Sequence, residues 1–130
     1  MITVLAHGVF DLFHDGHVEH LKQVSTFGDI VWVSVVPDRF VQKRLPIYPE
    51  AARLRILHAC RYVDKAFLCD APGPEKLLKL LRPTIYVRSD EYLARDRPEY
   101  ELIRELGIDV GFTRAGPPHT SDILARIRGL

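Results

Sequence analysis

Apolar positions along this chain come in short blocks, and the blocks alternate between two spacings. Residues 2–6, Ile-Thr-Val-Leu-Ala, are a nearly unbroken apolar run, which predicts a buried strand. Val18, Leu21 and Val24 then recur at helical spacing, with Asp15 as a candidate cap and Gly28 as the stop. Residues 29–36 are apolar except for Asp29 and Ser34 and end at Pro37, which predicts a central strand buried on both faces. A basic, proline-containing stretch over residues 42–49 interrupts the pattern as a loop. Residues 50–61 read as a helix entered at Pro49, with Ile56, Leu57 and Cys60 on its apolar side. A short strand over 66–69, a leucine-rich helix over 74–81 stopped at Pro83, and a strand over 84–87 follow. Pro98 opens a helix bearing Leu102, Ile103 and Leu106, and Gly107 closes it. A fifth strand is expected at 108–112. Thr120 or Ser121 is the expected cap of a last helix carrying Ile123, Leu124 and Ile127.

Strands and helices in alternation imply an α/β fold, a Rossmann-like, doubly wound parallel sheet of five strands in a single domain over residues 1–130. No repeat, linker or low-complexity segment interrupts it. A chain of 130 residues is long enough to bury a core. At 47% hydrophobic and 27% charged residues the composition is that of an ordinary globular domain, neither disordered nor membrane-embedded. Lys and Arg number 18 against 17 Asp and Glu, a net charge of +1. That balance argues against an extended nucleic-acid surface, so any anion site is expected to be built locally. Cys60 and Cys69, the two cysteines, lack metal-ligand spacing and fit free thiols in a reducing compartment. The first strand starts at Ile2, which leaves no room for a signal peptide, and no apolar run approaches membrane-spanning length. The expectation is a cytoplasmic protein with no membrane partner.

Candidate chemistry concentrates in residues 7–17, His-Gly-Val-Phe-Asp-Leu-Phe-His-Asp-Gly-His. They form the turn from the first strand into the first helix. Gly8 and Gly16 are expected there to allow close backbone approach or a positive φ. The helix start offers unpaired N–H groups and the positive end of the helix dipole, a ready anion site. His14 and His17 are delivered to the same place. Asp38, the segment from Arg88 to Asp90, and Arg114 also follow strands, and ligands of doubly wound sheets gather beyond the strands' carboxyl ends. Plainer readings exist for each. Two histidines three residues apart are commonly surface or capping residues. His14, His17 and His20 could be read as a zinc cluster, although His14 precedes the helix and no cysteine lies nearby. Lys43 and Arg44 could be solvated loop charge, and Thr120 or Ser121 at minimum caps a helix.

Gly8, Val9, Phe10 and Asp11 followed by His14, Asp15, Gly16 and His17 resemble the signature of the HxGH nucleotidyltransferases, in their cytidylyltransferase-like branch. HxGH alone is a modest signal; at this distance after Gly-x-Phe-Asp and an N-terminal strand it is a specific one. The likeness continues over nearly the whole chain. Ser34 to Asp38 resembles the second strand that ends in an aspartate near the nucleotide. Lys43, Arg44 and Leu45, with Pro49 and Arg53, resemble the region that holds acceptor and nucleotide phosphates. Val87, Arg88, Ser89, Asp90, Glu91 and Tyr92 resemble a segment near the base and metal, and Arg114 with Thr120, Ser121 and Asp122 the closing motif. Arg61, Tyr62, Val63 and Asp64 are similar to a segment that glycerol-3-phosphate cytidylyltransferase uses near its dimer interface, which implies a homodimer. A second similar protein is the nucleotidyltransferase domain of ADP-heptose synthase.

The resemblance implies transfer of a nucleotidyl group, CTP favoured, to a phosphorylated sugar or polyol with release of pyrophosphate. His14 and His17 would donate to α- and β-phosphate oxygens. Lys43 would hold the acceptor phosphate. Arg114, Thr120 and Ser121 would take the β/γ phosphates, with Arg53 a further phosphate ligand. Gly8, Val9, Phe10, Gly16, Asp38 and Arg88 would line the nucleotide site, Asp11 would orient the loop, and Asp90 would assist metal or base. Mg²⁺ would bridge the phosphates rather than occupy a protein metal site. Three positions depart from the pattern: Ser89 for glycine, Arg88 for lysine, and His119 for the first hydroxyl of the closing motif. Adenylyl transfer from ATP to a sugar phosphate or a cofactor precursor is one alternative, and a catalytically silent nucleotide-binding regulatory domain is another.

Overall fold

The computed structural model describes residues 1–42, 44–90, 98–114, 116 and 119–130. Strands and helices alternate as β1 (Thr3–Gly8), α1 (Asp15–Ser25), β2 (Ile30–Val35), α2 (Glu50–Ala59), β3 (Lys65–Leu68), α3 (Glu75–Leu81), β4 (Ile85–Ser89), α4 (Pro98–Leu106), β5 (Asp109–Thr113) and α5 (Thr120–Arg128). The strands form one parallel sheet in the order β3-β2-β1-β4-β5. The chain winds outward on one side of β1, then returns to its other side at β4. The carboxyl ends of β1 and β4 therefore flank the point where strand order reverses, which is the crevice where such sheets bind ligands.

Register explains the two layers. Val4 lies opposite Val31 and Ile85, and Ala6 opposite Val33 and Val87. With Leu21 and Val24 of α1 and Leu57 of α2, these residues build one core. Leu5 and Tyr86 point to the other face, where Leu78 of α3, Ile103 of α4 and Ile108 complete a second core. Val4, Leu5 and Ala6 are all fully buried, so β1 is covered on both faces, as its unbroken apolar run requires. Each large aliphatic side chain in these cores contributes about 1.5–3 kcal/mol.

The element ends correct several expectations. Asp15 is the first residue of α1; the cap is His14, whose Nδ1 accepts a hydrogen bond from the Gly16 N–H (3.0 Å). α1 ends at Ser25, with Thr26 rather than Gly28 as its cap. Gly28 instead leaves room for β1, because a Cβ there would meet the Ile2 and Val4 side chains within 2.6–2.7 Å. α2 stops at Ala59, with Cys60 as its half-buried cap. α5 is capped by His119, not by Thr120 or Ser121, which lie inside the helix; the His119 N–H donates to the Asp122 carboxylate (2.9 Å). Gly107, at a φ of +70°, closes α4 as expected. Among the described residues no helix is long and apolar enough to cross a membrane.

Candidate active site

A cavity of about 550 Å³ opens beyond the carboxyl ends of the strands. His7 and Gly8 from β1, Val36 after β2, Arg88 and Ser89 from β4, Thr113 from β5 and Arg114 just after it all reach its wall. Two helix starts converge on it, that of α1 through His14, Gly16 and His17 and that of α5 through His119 and Thr120. Backbone N–H groups and two positive dipole ends thus meet in one place.

The turn between β1 and α1 is strained, and the strain does not fall where glycine was expected. Gly8 and Gly16 keep ordinary dihedrals, while Phe10 and Leu12 take the left-handed region at φ values of 55° and 48°. Such a conformation costs a non-glycine residue about 1–2 kcal/mol. Gly8 contributes by its missing side chain: a Cβ would stand 3.0 Å from the Phe10 ring. That ring is buried and packs against His17 at 5.6 Å between centroids.

The two histidines of the motif are held as neutral donors. The His14 N–H donates to His17 Nδ1 (3.2 Å), and the Gly16 N–H donates to His14 Nδ1 (3.0 Å). Each Nδ1 therefore presents its lone pair to the backbone, which leaves the ring proton on Nε2. The rings stack at 3.9 Å, and Phe13 covers His17 at 5.4 Å. Burial first, then the neighbouring His14 and His20, push the His17 pKa down to about 3. His14 is also lowered, by burial and by His119. His14 Nε2 is buried with no hydrogen-bond partner, and an orphaned buried donor is costly unless a ligand satisfies it.

Other site residues take structural roles. The Asp11 carboxylate accepts from Arg44 (2.8 Å), the Ile47 N–H (2.8 Å) and the Tyr48 N–H (2.9 Å). Burial works to raise its pKa, but the bonds from Tyr48, Arg44, Ile47 and Leu12 outweigh it and hold the carboxyl below its usual value. Asp11 thereby clasps the loop that precedes α2. Arg53, expected to touch phosphate, is fully buried. Its guanidinium donates to the carbonyls of Val9 and Val36 (both 2.8 Å) and Tyr48 (3.1 Å) and to Asp38 (2.6 Å). Asp38 also accepts from the Glu50 N–H (3.2 Å). Both residues join β2, the β1–α1 turn and α2, a structural role that the sequence did not indicate. The Thr120 hydroxyl donates to the Asp11 carbonyl (3.1 Å), tying α5 to the same turn. Ser121 is exposed outside the cavity wall, and Asp90 does not reach that wall either. Lys43, Glu91 and Tyr92 lie outside the described residues.

Of the expected residues, Gly8, Val9, Phe10, His14, Gly16, His17, Arg88, Arg114 and Thr120 share the cavity. His7, His20 and Glu99 also reach the cavity wall. His7 bonds through Nδ1 with the Ser34 hydroxyl (2.7 Å) and through Nε2 with the Pro72 carbonyl (3.3 Å). Burial and then Arg88 bring its pKa to about 4. His20, one turn beyond His17, bonds through Nδ1 with the Thr113 hydroxyl (2.7 Å). Glu99 of α4 pairs with Arg88 at 3.7 Å and accepts from the Tyr86 hydroxyl (3.2 Å), while Arg88 donates to that hydroxyl (3.0 Å). His7 heads the 7–17 stretch and His20 stands at helical spacing from His17; Glu99 had no such signal and depends on where α4 packs.

A second cavity of about 530 Å³ adjoins the first and shares Val9, Phe10, His17, Val36, Pro72 and Thr120 with it. Among the described residues no three His, Cys, Asp or Glu side chains converge to hold a metal. Backbone N–H groups occupy Nδ1 of both His14 and His17, so those lone pairs serve the turn rather than a metal.

Comparison with known proteins agrees with this geometry. The bifunctional protein HldE of Streptomyces coelicolor is 39% identical over 109 residues, covering 81% of this chain but only 24% of that protein. The FAD synthase of Methanohalophilus mahii is 32% identical over 120 residues, 92% of this chain and 84% of the relative. The crystal structure of a lipopolysaccharide core biosynthesis protein from Thermoplasma volcanium superposes with a TM-score of 0.73 at 31% identity, over 92% of this chain and 99% of that one. A family model described as cytidylyltransferase-like matches residues 5–120, a span that takes in both cavities' described walls from β1 to the start of α5. With the HxGH histidines at the sheet's switch point and a match of that extent, the chain belongs to the cytidylyltransferase-like family of nucleotidyltransferase enzymes.

Proposed function

We propose that the protein transfers a nucleotidyl group from a nucleoside triphosphate to the phosphate of a small acceptor. The observation that carries this reading is the pair of neutral imidazoles at the start of α1, with each Nδ1 engaged and each proton on Nε2. An acceptor phosphate oxygen attacks the α-phosphorus in line. The bond from that phosphorus to the α–β bridging oxygen breaks, and its electron pair leaves with pyrophosphate. The attacking oxygen is already anionic at neutral pH, so positioning and charge stabilisation do the work. His14 and His17 donate from Nε2 to α- and β-phosphate oxygens as charge moves to the leaving group. Arg114, exposed at the cavity wall, and the N-terminus of α5 face the distal phosphates. Arg44 stands in the second cavity with guanidinium donors beyond the one Asp11 takes, and with Lys43 it serves the acceptor phosphate. Mg²⁺ is expected on the nucleotide's phosphates, where it neutralises charge with few protein ligands.

The resemblance pointed to CTP. The relative named FAD synthase, whose product contains an adenylate, supports ATP equally. Supplying each of the four triphosphates with Mg²⁺ and a range of phosphate monoesters tests the reading. Pyrophosphate should appear with ATP or CTP, and only when an acceptor is present. Nucleotide binding without turnover on any acceptor would return the chain to the silent-domain reading.

A two-fold homodimer is part of the same proposal. Tyr62 and Val63 pack on the first core, and Asp64 accepts from the Val31 N–H (2.7 Å), while Arg61 remains exposed with its guanidinium 5.7 Å from the Tyr62 ring. Light scattering at micromolar concentration should return twice the chain mass; a single chain mass would refute the dimer.

A further inference from the structure

We infer that Glu99 reads the sugar of the nucleotide, its carboxylate accepting a hydrogen bond from a ribose hydroxyl of the bound triphosphate. The inference rests on the nucleotidyl-transfer reading above, which sets the phosphates against the histidines and the helix starts. A second wall of the same cavity is left without a role by that reading. α1 packs on the face of the sheet where Val4, Ala6 and Val87 build the first core, whereas Tyr86 and α4, through Ile103, belong to the other face. Arg88 follows Tyr86 by two residues along β4 and so shares its face. The cavity spans the strand ends between these faces, with His14 and His17 on one side and Arg88 and Glu99 on the other.

Glu99 stands in the first turn of α4 and is 6% exposed, yet it lines the cavity. Its Oε1 accepts from the Tyr86 hydroxyl (3.2 Å) and faces the Arg88 guanidinium at 3.7 Å. Arg88 donates to the same hydroxyl (3.0 Å), so Tyr86 directs its own proton to Glu99. Burial drives the Tyr86 pKa far above its usual value, which keeps that proton in place. All these contacts fall on Oε1. Oε2 accepts from no described residue, and a buried carboxylate oxygen without a donor carries a penalty that a ligand can relieve. A carboxylate offers only acceptors and repels phosphate, so its partner is an O–H or N–H of the nucleoside half. The ribose is the part that ATP and CTP share, and it is bonded directly to the α-phosphate. The exocyclic amines of adenine and cytosine, by contrast, stand at different distances from the sugar. A carboxylate fixed by Tyr86 and Arg88 therefore suits the sugar rather than the base.

The test is a titration of the intact protein, in the presence of Mg²⁺, with ATP and CTP, their 2′-deoxy and 3′-deoxy forms, and ITP, which lacks the amine of ATP. Removing the hydroxyl that Glu99 receives should weaken binding about tenfold or more, as expected for a hydrogen bond to a charged group. Glu99→Gln keeps an acceptor for Tyr86 but turns an amide NH₂ towards the sugar. In that variant the ratio of ribonucleotide to deoxynucleotide affinity should fall to near one. The altered charge beside Arg88 acts on both forms and cancels in the ratio. A side chain that only braced α4 against β4 would weaken every form alike, and a ratio that survives Glu99→Gln would overturn the inference. Equal binding of the ribonucleotide and both deoxy forms to the wild type would overturn it as well, while pyrophosphate release with an acceptor would leave nucleotidyl transfer standing. A loss with ITP alone would give Oε2 to the base and likewise overturn it. No binding of any triphosphate would overturn both readings. If Glu99→Gln does not fold, the deoxynucleotide comparison on the wild type decides.

Discussion

His17 carries two duties on one ring. Nδ1 accepts the His14 N–H and so belongs to the cap of α1, while Nε2–H is left to donate to phosphate. A cleft residue with no capping bond could be removed at little cost in stability, but His17 has such a bond. His17→Ala is therefore expected to lower kcat by roughly 10²–10³ and also to cost about 1 kcal/mol of stability, the usual price of a lost cap. Steady-state kinetics and chemical denaturation on one preparation separate the two effects. A stability loss with full activity per folded molecule would show the ring to be structural alone. The neutrality of these rings has its own consequence. His17 at about 3 and His7 at about 4 both lie below the ordinary histidine value of 6.5, so between these limits the unfolded chain binds protons that the folded one refuses. Stability is then full above pH 6.5 and falls on acidification, by up to about 1.4 kcal/mol per pH unit for each such histidine. Denaturation midpoints between pH 7 and 4 should show this slope, and His7→Asn should flatten it; an unaltered slope in that variant would mean His7 titrates normally.

Among the elements, helix ends decide more than helix middles. α1 and α5 are both entered through a histidine, and both starts open on the first cavity. Capping and ligand binding are thus served by the same turn of chain. α3 ends differently, on Arg82 in the left-handed region at a φ of 47°. Arg82 is exposed, so its side chain has little packing to lose. Arg82→Gly should remove the strain of that conformation and raise stability by about 1 kcal/mol, read as a higher denaturant midpoint at constant m. A lower midpoint would mean the Arg82 side chain supports α3 in a way its exposure does not suggest.

At the scale of the whole molecule, Arg53 is the joint. Its guanidinium binds carbonyls from the β1–α1 turn, the end of β2 and the loop before α2, and pairs with Asp38. Lysine cannot reproduce that fork, because it is a point charge without the planar set of donors. Arg53→Lys should cost about 3–5 kcal/mol, the range for breaking a buried ionic arrangement. Nucleotide affinity per folded molecule should stay near wild type, which titration of the folded fraction would check. A large loss of nucleotide affinity at normal stability would return Arg53 to the phosphate site. Asp11 works beside it by clasping the same loop from the other side, so the turn that carries the histidines and the loop that borders the second cavity are positioned together.

Much of this was determined by the sequence alone. Strand and helix periodicity is local, so the alternation of elements, the parallel doubly wound sheet and the position of the HxGH turn at its centre could be read from apolar spacing and one motif. Cap identities could not, because Asp15 and His14, or Thr120 and His119, differ only in which side chain reaches the open N–H groups. Nor could the fate of Arg53 and Asp38, since a charged residue after a strand reads the same whether it faces a ligand or a buried carbonyl. His7, Glu99 and Thr113 come from β1, α4 and β5, and only strand order and register bring them to one cavity. Strand pairing β1 with β4, far apart in the chain, is a tertiary event. It alone decided that the β4 and β5 ends meet the histidines, and it also placed two cavities side by side, because both form between elements whose adjacency no local pattern encodes.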